Sequence, residues 1–493
     1  QVGIQASVKF QPVISGSVSS PDQCKKLAIV DNASVTIPPL KALTVNGIIT
    51  NNEGNTGIVI QSDAMGTGSL LHTTTNTAGT IQRYITGNEN LEAMTYHLVS
   101  VPLTPASNSQ SSLFMDSYLY RFNEPSNDWE GLGTSTSNSL DETRGYMIYL
   151  PAASTTYSFA GNMNAGSFSS SITNSLYGYN LVPNPYPSAI DWQAASGWTK
   201  TNLNDAVYIW PSGGSNYAAY VDGEATNGGS RYIPVGQAFF VKASGSSPAI
   251  AMTDAVRVHN TQAFFKNKKR DVLRVKATSA GYTDEAVIRF MTGASTGADK
   301  LRDAWKMPGL EQAPQLYTLT SGNEKLAINT LPYQSEAYTV PMAVGLNENR
   351  EMLFEFTGTE TFDNSVSIYL HDLKAGTQTN LRENNKYSFD YAPADDPVRF
   401  RVIFGGTIGI EELAENKVQI WSHGNTLYIS TPANASVVTD LKVFDATGRL
   451  LLSEAHPGSG LISRQLDMPG AVTVKVIQQN GRLSTQKVVV MPW

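Results

Sequence analysis

Apolar residues in this chain come in short bursts, and Gly, Asn, Asp, Ser and Pro separate one burst from the next. Val, Ile, Tyr, Phe and Thr dominate them, as in "YHLVSVPL", "QAFFVKA" and "VLRVKAT". Strand-sized segments of β-branched and aromatic residues, punctuated by turn formers, predict β-structure almost throughout. Helical periodicity is hard to find, and its best stretch, Ser188 to Ser196, is a turn or two. The expected fold class is all-β.

The texture of the bursts divides the chain into four expected parts. Over residues 1–88, most clearly in "LAIVDNASVTIPPLKALTVNGIITNNEGNTGIVIQSDAMGTGSLLH", very short bursts alternate with Asn and Gly corners. This spacing suits a β-solenoid, with each rung stacked on its neighbour; an ordinary meander is the alternative. Residues 89–265 carry aromatic strands such as "YLYRF", "GYMIYL" and "AVYIW" joined by polar loops, which predicts a sandwich or jelly roll. Residues 266–410 alternate in "EAVIRFM", "YTVPMAVGL" and "EMLFEFTG", the pattern of a second β-sandwich. Residues 411–493 read as a third sandwich, Ig-like, of about seven short strands.

Charge sharpens one of these boundaries. Residues 1–265 hold 28 charged side chains (11 basic, 17 acidic), and residues 266–493 hold 49 (24 basic, 25 acidic). The cluster Lys266, Lys268, Lys269 and Arg270 marks the change and reads as a solvated linker between two separately stable halves. Over all 493 residues the net charge is −7, which offers no basic stripe to phosphates and argues against nucleic acid. A single cysteine, Cys24, precludes an intrachain disulfide and lacks a catalytic setting. No apolar run reaches the 18 or so residues of a membrane helix. The opening at Gln1 shows no charged region followed by an apolar one, which fits either a removed signal peptide or a boundary imposed on a longer chain.

The C-terminal part carries the most specific pattern. Asp445 to Gly448 is a turn between two strands, with Gly448 free to take positive φ. Gly470 opens a strand after Pro469, and Lys487-Val488-Val489 belongs to a short apolar closing strand. The stretch Val443-Phe444-Asp445-Ala446-Thr447-Gly448-Arg449, then Gly470 with Val474-Lys475-Val476, then Gln486 to Val490, resembles the type IX secretion (Por) C-terminal sorting domain of Bacteroidetes. That family usually has an aromatic two residues after the glycine, where this chain has Val472. The resemblance implies sorting-signal roles for Asp445, Gly448, Arg449, Gly470, Val474, Lys475, Val476, Lys487, Val488 and Val489. It also implies export across the outer membrane to the cell surface or beyond. The partners it implies are the translocon, an outer-membrane β-barrel carrier, and surface lipopolysaccharide after processing. Asn480-Gly481 predicts a hairpin that leaves the closing strand at a sheet edge.

Candidate chemistry is sparse. No nucleophile elbow, zinc-protease helix, P-loop, dinucleotide fingerprint or EF-hand loop occurs. His72, His97, His259, His371, His423 and His456 stand singly, without metal-ligand spacing. Asp191, Asp205 and Asp222 lie near Trp192, Trp198 and Trp210, so acids beside aromatic platforms could contact a glycan; the plainer reading is a turn cap and core rings. Neither enzyme activity, cofactor nor metal is expected. The expected function is a non-catalytic exported surface or secreted protein: an adhesin, matrix or envelope component. The alternatives are a carbohydrate-binding or carbohydrate-active protein using those three tryptophans, and a cargo-like component of the secretion machinery.

Overall fold

A computed structural model of the chain describes residues 22–88, 95–105, 107–109, 113–134, 138–259, 271–333, 337–405, 418–423, 425–431, 437–458, 460–466, 470–479 and 483–490. Strands dominate these residues, and the protein is all-β. It divides into two compact units, residues 1–406 and 407–493.

The first unit opens as a coil of short parallel strands. Leu27 pairs with Ile49 and Val35 with Ile58, 22 and 23 residues further on, and Leu43 pairs with Leu70 in the same sense. Each rung places its alternate Ile, Leu or Val inward, so Ile29, Ile37, Ile58, Ile60 and Leu70 stack into one buried column. Corners fall at Asp31, Asn32 and Asn76, each with positive φ, the conformation that Asn and Asp tolerate best among non-Gly residues. Parallel pairing across one coil length is solenoid geometry.

The coil does not end at residue 88 as a separate body. Strand Thr77–Ile85 pairs in parallel with Ile58–Ile60 on one side. On its other side it pairs antiparallel with Thr155–Met163 along its whole length. A single buried cluster accordingly runs from Leu27 and Ile37 through Phe114, Ile148 and Phe159 to Val235.

Next come a four-stranded sheet, Tyr96–Val99, Tyr146–Tyr149, Tyr118–Asn123 and Asp128–Gly133, and a five-stranded sheet led by Tyr179–Pro183 and Ala238–Ala243. Their facing side chains, among them Leu98, Phe122, Met147, Leu181 and Phe240, meet in one cluster. The sequence Ser188 to Ser196 is not helical. Strand Ala189–Asp191 is buried on both faces and is followed by a turn closed by the Ala194 N–H on the Asp191 carbonyl.

From Val272 onward the described residues of the first unit form one eleven-stranded sheet folded on itself. Phe354, from one half of the strand order, packs on Phe400 from the other at a ring separation of 4.9 Å. Its two edges are clasped by Tyr387, whose hydroxyl donates to Asp372 Oδ2 (2.9 Å) and meets Thr377 Oγ1 (3.2 Å).

The basic cluster at 266–270 lies outside the described residues, but the expectation of two separately stable halves needs correction. Tyr208, Val221 and Phe240 share a buried cluster with Val272, Val287, Ala304 and Ile328. Fully buried Asp284 pairs with Lys306 (2.6 Å) and accepts from Asn227 Nδ2 (2.9 Å). Arg274 pairs with Glu224, and Arg289 with Asp222. A charge step in the sequence reports surface composition, and these strands are joined through their interior.

The described residues of the second unit form a two-layer sandwich of seven strands. One sheet holds Gln419–His423, Thr426–Ser430 and Leu461–Gln465, and the other Leu450–Gly458, Val438–Asp445, Gly470–Gln478 and Leu483–Val490. Ile420, Leu427, Ile429 and Ile462 from the first meet Leu441, Val443, Val474 and Val476 from the second. The Asn480-Gly481 turn lies outside the described residues. Its flanking strands pair antiparallel, with Ile477 opposite Leu483.

Candidate functional site

The C-terminal residues singled out by resemblance gather on one sheet of the second unit. Asp445 ends the strand Val438–Asp445 and organises the turn that follows. Its Oδ1 accepts from the Thr447 hydroxyl (2.6 Å), the Thr447 N–H (2.9 Å) and the Arg449 N–H (3.0 Å), and its Oδ2 accepts from Arg449 Nε (3.0 Å). The Thr447 hydroxyl, with these N–H groups, draws the carboxyl down to about 2. Gly448 sits at φ +86°. Its N–H donates to the Asp445 carbonyl (3.0 Å), which completes a tight hairpin turn.

Gly470 starts its strand at φ +135°, opposite Val490. From there alternation sorts the residues. Val474, Val476 and Val488 point into the core, while Lys475, Lys487 and Val489 face outward. Val472, at the position where the sorting family usually has an aromatic, is buried between Asp445 and Val488. So the resemblance residues perform two tasks: the valines and glycines build the sandwich, and the lysines, Arg449 and Val489 show on its surface.

Pairing register adds partners that the motifs missed. Lys442 lies directly opposite Lys475, and Phe444 opposite Thr473 and beside Leu450. The Lys475 ammonium sits 5.4 Å from the Phe444 ring centre. The outer face is thus a mixed basic and apolar surface, which period-2 reading of three separate strands could have suggested but could not have assembled. Strand Leu483–Val490 lies at the edge of the sheet. Near its end, the Val489 carbonyl accepts from Ser422 Oγ (2.6 Å).

The three tryptophans do not line up as a glycan platform, and their placement fits the plainer reading of core rings. Trp192 is wholly enclosed, with its indole N–H on the Asp205 carbonyl (2.7 Å). Trp198 meets it edge-on at 65°, and Trp210 meets Tyr217 at 71° while packing on the core. No row of exposed, coplanar rings results. The neighbouring acids are engaged too: Asp191 takes a bidentate pair from Arg231 (2.7 and 2.5 Å), Asp205 pairs with Lys200 (2.7 Å), and Asp222 with Arg289 (3.3 Å). Each carboxylate serves a local cation, so none is arranged as an acid/base pair.

Buried histidines are structural. His72 Nδ1 donates to the Thr74 carbonyl, and burial lowers its pKa to about 4; His259 lies between Thr44 and Ser69, and burial lowers it likewise to about 4. Among the described residues no group of three or more His, Cys, Asp or Glu could hold a metal ion. None of their helices is long and apolar enough to cross a membrane, which says nothing of strand-built barrels.

These features define an all-β chain whose large first unit joins a coil of short strands to broad sheets, followed by a small sandwich. The chain belongs to the family described as a domain of unknown function, DUF8693, whose model matches residues 1–404. That match stops at the border of the first unit, so the C-terminal sandwich lies beyond it. The chain is also related to the minor fimbrium subunit Mfa5 of Porphyromonas gingivalis, with 22% identity over 91% of its own length. It spans 40% of that relative. Among solved structures, Tp47, the 47-kilodalton lipoprotein of Treponema pallidum, aligns over 83% of this chain and 91% of its own. The identity is 10% and the TM-score 0.13, a level at which nothing is carried over.

Proposed function

We propose that this chain is a non-catalytic, exported cell-surface or secreted β-protein whose C-terminal sandwich is its type IX secretion address. The observation that carries the reading is the compact C-terminal unit beyond the family's reach, with its turn, its alternating strands and its closing strand at a sheet edge. Kinship with a fimbrium subunit supports a place on the bacterial surface. An edge strand offers backbone N–H and C=O groups that a carrier extends by strand addition, and outward side chains supply specificity. Lys487 and Val489 are those side chains here, and the carrier is an outer-membrane β-barrel of the export machinery.

The test compares truncation after Asn480 with Val489→Glu, assaying surface display in the native host. Val489 is exposed, so its charge leaves the core intact. Loss of display by both variants, with the first unit still folded, is expected. Normal amounts of both at the surface would remove the address from this hairpin.

A further inference from the structure

Asn216, Asp284 and Lys306 come together where the loop before the strand Ala218–Val221 meets the strand Tyr282–Phe290. All three are shut off from water: Asn216 is 2% exposed, and the side chains of Lys306 and Asp284 are 5% and 0% exposed. Lys306 Nζ lies 2.6 Å from Asp284 Oδ2 and donates to Asn216 Oδ1 at 3.0 Å. Asn216 Nδ2 donates to the carbonyls of Thr283 and Pro314 (3.0 Å each), which fixes the amide with its oxygen toward the amine. Asp284 is held as firmly, by Asn227 Nδ2 on Oδ1 (2.9 Å) and the Leu316 N–H on Oδ2 (2.6 Å). Gly309 closes over the group, where a Cβ would stand 2.4 Å from Asn216 Oδ1.

A buried ammonium and carboxylate gain by exchanging a proton, because burial penalises both charges. Burial is the largest influence on Asp284 and raises its pKa above the ordinary carboxyl value. The transfer leaves a neutral amine, which is a nucleophile, beside a neutral acid. A carbonyl bond is about 1.2 Å long, so Nζ lies no more than roughly 4.2 Å from Asn216 Cγ. Such proximity, with water excluded, turns amide exchange into an intramolecular reaction.

We propose that Lys306 and Asn216 join in an amide cross-link, with Asp284 as the proton carrier. Nζ gives a proton to Asp284 and attacks Cγ. The tetrahedral centre then loses a second Nζ proton while Nδ2 gains one through Asp284, the Cγ–Nδ2 bond breaks, and ammonia leaves. Counted from the ammonium and carboxylate, the products are a secondary amide, ammonia and a protonated Asp284, so no oxidant, reductant or other reactant enters. The bond ties the loop before Ala218–Val221 to the segment after Ala304–Trp305, across the core that their strands share. With one cysteine in the chain, no intrachain disulfide can supply such a tie.

Mass spectrometry of the folded full chain tests this. A cross-linked chain is lighter than its sequence by one ammonia, about 17 Da. Cyclisation of Gln1 would release the same mass, so the tryptic map decides. Trypsin should give residues 201–231 and 303–325 as one branched peptide, uncut at Lys306. Lys306→Arg and Asn216→Ala should each abolish that peptide. Asp284→Asn leaves both bonding partners in place and should abolish it too, with circular dichroism showing the fold retained. The map of the parent chain decides the cross-link even where a variant fails to fold. Release of 303–306 and 307–325 as separate peptides from folded chain kept overnight at neutral pH would overturn the proposal. A branched peptide formed undiminished in Asp284→Asn would overturn the role of the carboxyl.

Discussion

Glu124 is the side chain whose replacement most directly tests how the first unit is held together. It follows the strand Tyr118–Asn123; the residue is only 4% exposed, and its carboxylate enters the loop Thr173–Gly178 from across the fold. Oε1 accepts from the N–H groups of Ser175 (3.0 Å), Leu176 (2.9 Å) and Gly178 (2.9 Å), and Oε2 from the Ser175 N–H (2.9 Å) and the Thr173 hydroxyl (2.7 Å). Burial alone would raise its pKa. The Leu176, Ser175 and Gly178 N–H groups and the Thr173 hydroxyl outweigh burial and take it from 4.5 to about 2. The loop so braced shows Leu176 and Tyr177 to solvent. In Glu124→Gln one oxygen becomes an NH2 that faces donors, which strands at least one buried N–H and costs about 1–3 kcal/mol. The pKa depression sets a ceiling of roughly 3 kcal/mol for the ionised group. Because the folded pKa lies below the unfolded one, this stability is fully present above pH 4.5 and is lost as pH falls toward 2. Urea unfolding of the full chain, parent against Glu124→Gln, should differ by about 2 kcal/mol at pH 7. At about pH 3 less than half of the difference should remain. Equal stability at pH 7, or a gap unchanged between pH 7 and pH 3, would refute the reasoning.

Other outcomes follow from the same geometry. Trypsin cleavage within 266–270 should leave fragments that stay associated on size exclusion, because their strands share a core; separately eluting folded halves would contradict this. Lys306→Ala should cost about 3–5 kcal/mol in denaturant, since it leaves fully buried Asp284 without its cation, and a loss below about 1 kcal/mol would show that Asp284 is not charged there. Gly448→Val places a β-branched side chain at φ +86°, and should destabilise the isolated turn's hairpin by about 1–3 kcal/mol although nothing lies within reach of its Cβ. Backbone strain without a clash is the point of that variant, and an unchanged melt of the C-terminal sandwich would disprove it. Trp192 should resist acrylamide quenching in the folded chain, and rapid quenching of its emission in a single-tryptophan variant would contradict its enclosure.

What the amino-acid order determines by itself is local. Period-2 alternation in "VTVKV" sends Val474 and Val476 inward and Lys475 outward whatever the sheet, because successive side chains on a strand point to opposite faces. Asp445 and Gly448 announce a turn for equally local reasons: a side chain that bonds nearby N–H groups and a residue without a Cβ penalty at positive φ. The Asn and Gly corners of residues 27–85 mark short strands in the same way. Pairing is a different matter. Whether Ile58–Ile60 meets its successor in parallel, a coil length away, or folds back on a hairpin depends on contacts that no window of sequence contains. The same holds for Thr77–Ile85 continuing one sheet past residue 88, and for Val272 and Ile328 completing a core begun by Tyr208 and Phe240. Trp192, Trp198 and Trp210 show the limit most plainly. An aromatic beside an acid reads alike whether it faces a ligand or a core, and only the packed structure gives Asp191 to Arg231, Asp205 to Lys200 and the Trp192 ring to the interior.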